Sequence, residues 1–124
     1  MYFDNEYPDY ITKFIGIEPT EIQVKNEQVE YKGKKMNRKI PINGWFLNSS
    51  HSIISKDSRR HIDYILDKIH PVKEKIDELI NLGAKIEISC FWRTKQGHGG
   101  PILSVEQFQR LAEIKIDLFY DFYC

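Results

Sequence analysis

The stretch "DSRRHIDYILDKIHPVKEKIDELINLG", Asp57 to Gly83, decides how this chain is read. Ile62, Ile65, Leu66, Ile69, Val72, Ile76, Leu79 and Ile80 recur at steps of three and four, which draws one apolar stripe along a helix. Asp57 or Ser58 is placed to cap its start, and Gly83 stops it. Pro71 has no N–H to give to a helix interior, so the spacing predicts a kink or two helices meeting there. A helix of this length needs a surface to lie on, and the flanks must supply it.

Strand signals lie on both sides. Downstream, "KIEISCFWR" alternates Ile86, Ile88 and Cys90 with Glu87, Ser89 and Phe91. Upstream, "GWFLNS" places Trp45, Phe46 and Leu47 in a row, the short apolar run of a strand buried on both faces. "EIQV", Glu21 to Val24, alternates weakly, and "MYFDNEY" reads as a strand cut short at its start. The Lys-rich run between Gly33 and Gly44 reads as a solvated hairpin or loop. Near the end, "KIDLFYDFYC" alternates Ile116, Leu118, Tyr120 and Phe122 with Asp117, Phe119, Asp121 and Tyr123, which favours a final strand.

Two more helices are predicted. In "YPDYITKFIG", Asp9 is the expected cap, Tyr10, Ile11, Phe14 and Ile15 form the apolar face, and Gly16 suits a left-handed end. "SVEQFQRLAEI" opens on Ser104 and Gln107, the spacing of a capping box, with Val105, Phe108, Leu111 and Ala112 as its stripe. The order is then roughly β-α-β-β-α(α)-β-α-β. This predicts one α+β domain over residues 1–124, a single antiparallel or mixed sheet covered by helices, ferredoxin-like in flavour.

Composition narrows function mainly by exclusion. The 124 residues carry 18 Lys plus Arg against 18 Asp plus Glu, so net charge points to neither nucleic acid nor a membrane surface. Charge is uneven locally: Lys32, Lys34, Lys35, Arg38 and Lys39 cluster, while Asp4, Glu6, Asp9, Glu18 and Glu21 make the start acidic. No apolar run reaches the ~18 residues of a membrane span, and the first ten residues lack a secretory pattern. Cys90 and Cys124 make no disulfide framework, so a cytoplasmic setting is expected.

The chemistry-bearing candidates are few. "WRTKQGHGGPILS" follows a strand and precedes a helix, where an anion can sit, and Arg93, Lys95 and His98 supply cationic donors. It matches no phosphate-loop or dinucleotide spacing, Pro101 removes one amide, and Ser104 already holds the cap. A strand-to-helix loop is the plainer account of it. His51, His61, His70 and His98 lack metal-ligand spacing, so no metal or other cofactor is expected. Cys90 among apolar neighbours suits a small buried hydrophobe better than a nucleophile. Asp117 and Asp121, four apart on a strand, lie about 13 Å apart, too far for a paired-carboxylate site.

Surface recognition is the remaining class. Arg59 and Arg60 sit at a helix N-terminus against the dipole, a placement that a partner would explain. Tyr31 or Trp45 offers a ring on which a base could stack, although the neutral balance makes nucleic acid a poor candidate. Tyr2, Phe3, Tyr7 and Tyr10 would join Phe119, Tyr120, Phe122 and Tyr123 in one aromatic cluster if the terminal strands pair. Alternatively, an exposed last strand with Phe119 and Tyr123 outward would invite strand addition or an edge-strand dimer.

Four stretches, "ITKFIGIEPTEI", "GWFLNSS", "HIDYILDKIHPVKEKIDELINLG" and "ILSVEQFQRLAEIKIDLFYDFY", together resemble the bacterial domain-of-unknown-function family 4279. The resemblance implies a compact α/β domain with no assigned activity and no catalytic residue to carry over. It also implies, through the toxin–immunity loci where such small proteins are often encoded, a binding or immunity role. The reading that results is a non-enzymatic cytoplasmic protein that binds a protein partner, an immunity protein neutralising a bacterial toxin domain. The alternative is a small-anion or nucleotide-binding domain using loop 93–100. Candidate binding residues are Arg93, Lys95, His98, Arg59, Arg60 and Trp45.

Overall fold

A computed structural model describes residues 1–95 and 97–123. Cys124, considered above with Cys90, lies outside the described residues. The chain is α+β. In order it runs β1 (Tyr2–Phe3), α1 (Pro8–Ile15), β2 (Glu21–Gln23), β3 (Gln28–Tyr31), β4 (Lys34–Lys39), β5 (Asn43–Phe46), α2 (Ser58–Ile69), α3 (Lys73–Asn81), β6 (Glu87–Arg93), α4 (Val105–Ile114) and β7 (Asp117–Tyr123).

Local chemistry explains the helix boundaries. The Asp57 side chain accepts from the Arg59 N–H at 3.0 Å and caps α2. Pro71 falls in a 3₁₀ turn, His70–Val72, that divides α2 from α3. Ser104 accepts from the Gln107 N–H while Gln107 reaches back to the Ser104 N–H, so the capping box of α4 is complete. One expectation fails at α1: its N-cap is Tyr7, not Asp9. Pro8 occupies the first helical turn, where its missing N–H costs nothing, and this pushes Asp9 inside the helix. Gly16 ends α1 with φ 73°.

The strands form three small sheets. β5 lies between β1 and β2, antiparallel to both, β3 and β4 form a hairpin, and β6 pairs with β7 in parallel across the α4 crossover. Tyr2 and Lys85 exchange both backbone hydrogen bonds, at 2.9 and 2.8 Å, and so join β1 to the segment entering β6. The helices touch one another in the sequence α1–α3–α4–α2. Ile11 and Ile15 of α1, Ile62, Leu66 and Ile69 of α2, Ile76 and Leu79 of α3, and Leu111 and Ile114 of α4 form one buried cluster with Phe3, Trp45, Ile88 and Ile116.

A polar seam fastens α4 to α2. Gln107 is 1 % exposed, and its Nε2 donates to the Arg59 carbonyl and to the Asp63 carboxylate, each at 2.8 Å. Arg110 reaches Asp67 at 2.8 Å, and His70 pairs with Glu113, holding the Glu113 carboxyl below its ordinary range. Ser58 exchanges two hydrogen bonds with Ile102, which pins the end of the glycine-rich segment to the start of α2.

Among the described residues the two aromatic groups at the chain ends do not merge. β1 pairs with β5 and β7 with β6, so Tyr2 packs edge-on against Phe46, while Phe91 meets Tyr123 at 4.6 Å on the far side. No helix among the described residues is long and apolar enough to cross a membrane.

Candidate functional site

Among the described residues β5 and β6 belong to separate hydrogen-bonded sheets. Between them opens a cavity of about 930 Å³, bordered by Trp45–Leu47, by α2 and by β6. Its size falls within the range of roughly 300–1,000 Å³ common for ligand pockets. Ile62, Ile65 and Ile69 of α2 line it from the helical side, and Ile88, Cys90 and Trp92 from the strand, so its interior is largely apolar. Lys56, Arg93 and Lys95 give its lining an excess of positive charge over the one carboxylate, Glu87, and Ser49, Ser50, Ser55 and Ser89 add hydroxyls.

The loop between β5 and α2 is held by His61. Its Nε2 lies 2.9 Å from the Ser55 carbonyl, which can only accept, so Nε2 donates; in the neutral ring Nδ1 then accepts from the Ser49 hydroxyl at 2.8 Å. One imidazole thus clips both ends of the loop to α2. The Asn48 N–H bonds to the Thr20 hydroxyl at 2.9 Å, and Ser52 to the Tyr64 hydroxyl at 3.1 Å, which fix the loop further. A serine beside a histidine also suits nucleophilic chemistry, but here the ring is committed on both nitrogens to holding backbone and loop.

Cys90 points inward from β6, and burial pushes its thiol pKa up, which lowers the thiolate fraction that a nucleophile needs. Trp92 carries the one buried side-chain donor without a hydrogen-bond partner among the described residues, its indole Nε1. No group of three His, Cys, Asp or Glu side chains gathers among those residues in a way that could hold a metal ion.

The structure sorts the six residues singled out from sequence. Arg93, Lys95 and Trp45 line the cavity; His98, Arg59 and Arg60 do not. Trp45 is 2 % exposed and its indole donates to Thr12 Oγ1 at 3.0 Å, so its ring is a core element and offers no face to a base. Arg59 folds back onto Asp57 at 2.9 Å, which answers its placement against the helix dipole from within the chain. The carbonyl of His98 accepts from the Thr94 hydroxyl at 3.2 Å and closes the loop on itself. Lys56, Ser49, His61 and the α2 isoleucines were missed as site residues. They are spread over three elements with no shared spacing, and only the helical stripe of Ile62, Ile65 and Ile69 was visible, as core.

The model of the family described as Domain of unknown function (DUF4279) matches residues 3–124. The chain belongs to that family. No curated protein and no solved structure matches it.

Proposed function

We propose that this DUF4279 member is a non-catalytic protein-binding module of the cytoplasm, an immunity-type protein that occupies a toxin domain, and that the cavity between β5, α2 and β6 is its recognition surface. The observation that carries this reading is the cavity itself: an apolar interior, a rim of Lys56, Arg93 and Lys95, and a loop clipped in place by His61. A preformed concave surface with few, placed polar groups suits recognition at low ordering cost. The raised Cys90 thiol and the doubly engaged His61 support binding over nucleophilic catalysis.

The test is co-expression with the polypeptide encoded beside it. A stoichiometric complex and protection of the host cell are expected, both weakened by Ile65→Glu with Lys95→Glu. Free solubility of the two proteins with no complex and no protection would sink the reading. The basic rim also favours a second reading, an anionic small ligand. Calorimetry with inorganic phosphate and nucleoside diphosphates separates the two: saturable heat that is abolished by Arg93→Ala with Lys95→Ala would favour the ligand.

A further inference from the structure

We infer that the outer edge of β4 takes up an acidic extended segment of a protein partner; the inference rests on the protein-binding reading and gives it a second contact surface. β2 with β5 and β3 with β4 are two stretches of one antiparallel ribbon. The register Glu21↔Phe46, Ile22↔Trp45 and Gln23↔Gly44 continues without a slip to Gln28↔Lys39. Between the two ladders the Lys25 N–H donates to Asn43 Oδ1 at 2.8 Å, Gln23 Nε2 to the Ile42 carbonyl at 3.0 Å, and the Ile40 N–H to the Glu27 carbonyl at 2.8 Å. Trp45 roots the ribbon in the core, while its far half, residues 28–39, is exposed apart from partly buried Val29. A hairpin of two strands is marginal in water by itself, so this arm keeps its shape through its root.

Charge on the arm is divided by strand. Lys32 stands in the turn and Lys34, Lys35, Arg38 and Lys39 lie on β4, whereas Glu30 lies on β3 and Glu27 just before it. Successive residues of a strand point to opposite faces, so the neighbours Lys34–Lys35 and Arg38–Lys39 put cations on both. Lys32 and Gly33 make the two-residue turn with φ 49° and 77°, where asparagine and glycine are usual. A lysine thus holds a left-handed conformation at the tip, its ammonium 5.4 Å from the Tyr31 ring centroid. Across the ladder Lys34 faces Tyr31, Lys35 faces Glu30 and Lys39 faces Gln28; on its other side β4 has no strand among the described residues. The salt bridges among those residues involve Lys25, Arg59, His70 and Arg110, and none of these five cations.

Charge and backbone together specify the occupant. Lysines on an open edge discourage pairing with uncharged strands, and the same charges favour a strand that carries carboxylates. An extended chain alternates its side chains as β4 does, so adjacent acidic residues reach cations on both faces. A peptide also satisfies the N–H and C=O groups of the edge, whereas a phosphate backbone brings acceptors and no donors. The fitting segment spans about six residues, the length of Lys34–Lys39, with a pair of acidic residues at each end.

The probe is an acetylated, amidated peptide, Glu-Glu-Thr-Val-Glu-Glu, added to the isotope-labelled chain. In either direction it sets acidic pairs against Lys34–Lys35 and Arg38–Lys39. Saturable binding is expected, with amide shifts centred on β4, and raising ionic strength from about 0.05 to about 0.5 M should weaken it about tenfold or more. N-methylation of one alternate set of peptide residues should weaken binding about tenfold by removing donors the edge needs, and of the other set should leave it unchanged. Combining Lys34→Glu, Lys35→Glu, Arg38→Glu and Lys39→Glu should reverse the preference toward Lys-Lys-Thr-Val-Lys-Lys, which also shows that the variant is folded.

No saturable shift on β4, or equal losses from the two N-methylated sets, would overturn strand addition. So would a DNA or RNA duplex that shifts the same amides at lower concentration than the peptide, which would assign the arm to nucleic acid. Concentration-dependent self-association through those amides would assign the edge to a second copy instead. If the polypeptide encoded beside this chain still binds while the peptide fails, the protein-binding reading stands without this edge; if neither binds, both fall.

Discussion

Replacing Gln107 by Met tests whether the seam between α4 and α2 is a main support of the fold. Met keeps the unbranched shape of the side chain, so the core volume is nearly unchanged. It removes three hydrogen bonds: from the Ser104 N–H at 2.9 Å, to the Arg59 carbonyl at 2.8 Å and to Asp63 at 2.8 Å. The Arg59 carbonyl lies within α2 and keeps its helical partner, so its loss is small. The Ser104 N–H loses its acceptor at a part-buried site, and the bond to a carboxylate is of the stronger kind. With roughly 1 kcal/mol for each neutral bond and about 1.5 for one to a half-exposed carboxylate, the expected cost is about 3 kcal/mol. With a urea slope of about 2 kcal/mol/M, the midpoint should fall by about 1.5 M.

Urea unfolding followed by Trp45 and Trp92 fluorescence and by far-ultraviolet circular dichroism measures this, provided the two transitions coincide. Gln107→Glu sharpens the test. The new carboxylate can still accept from Ser104 but faces the Arg59 carbonyl and the Asp63 carboxylate where the amide donated. These neighbours raise its folded pKa above the unfolded value of about 4.3. Its protonated form therefore stabilises the fold at low pH, and that contribution is lost as pH rises through the raised value. The Glu variant should be the weaker of the two at pH 7 and recover relative to Met near pH 4. A Met variant within about 0.3 M of the parent midpoint, or a Glu variant with no such crossover, would refute the argument.

Three further outcomes follow from single positions. Gly44→Ala should cost about 1–3 kcal/mol in the same urea assay, because a Cβ there would lie 2.6 Å from the Phe46 ring, which Tyr2 holds edge-on, and 2.7 Å from Gln23 Cγ; a neutral result would mean that the ring has room to move. Lys115→Gly should raise stability by about 0.5–1 kcal/mol, since Lys115 ends α4 with φ 62° and glycine adopts that conformation without a Cβ penalty; a fall in thermal midpoint would contradict this. Asp57, bonded to the Arg59 side chain and N–H, is held below its ordinary value of 3.8, so its contribution is present above that value and lost as pH falls through the lower folded one. The difference in stability between the parent and Asp57→Ala should accordingly shrink in acid and stay constant from pH 5 to 7; a difference unchanged down to pH 2 would rule out the carboxylate as its source.

What was legible in the sequence is what short-range physics fixes. The Asp57 cap, the break at Pro71, the left-handed Gly16, the Ser104–Gln107 box and the alternation of β6 and β7 all depend on residues within a turn or two of each other. The Asp9 cap was misplaced for an equally local reason, since Pro8 competes for the same turn.

Pairing is different, because a strand carries the same side-chain pattern whichever partner it finds. Only the tertiary structure placed β1 between β5 and the residue that leads into β6, kept the terminal aromatics apart, and buried the Trp45 ring that had looked free to stack. The candidate site follows from that placement. Its walls come from residues 45–47 and 87–93 and its floor from one turn-spaced row of α2, segments far apart in the chain that only the fold brings around one cavity. The chain's local code specified each wall; the gap between them exists only because long-range hydrogen bonding set those walls two strands apart.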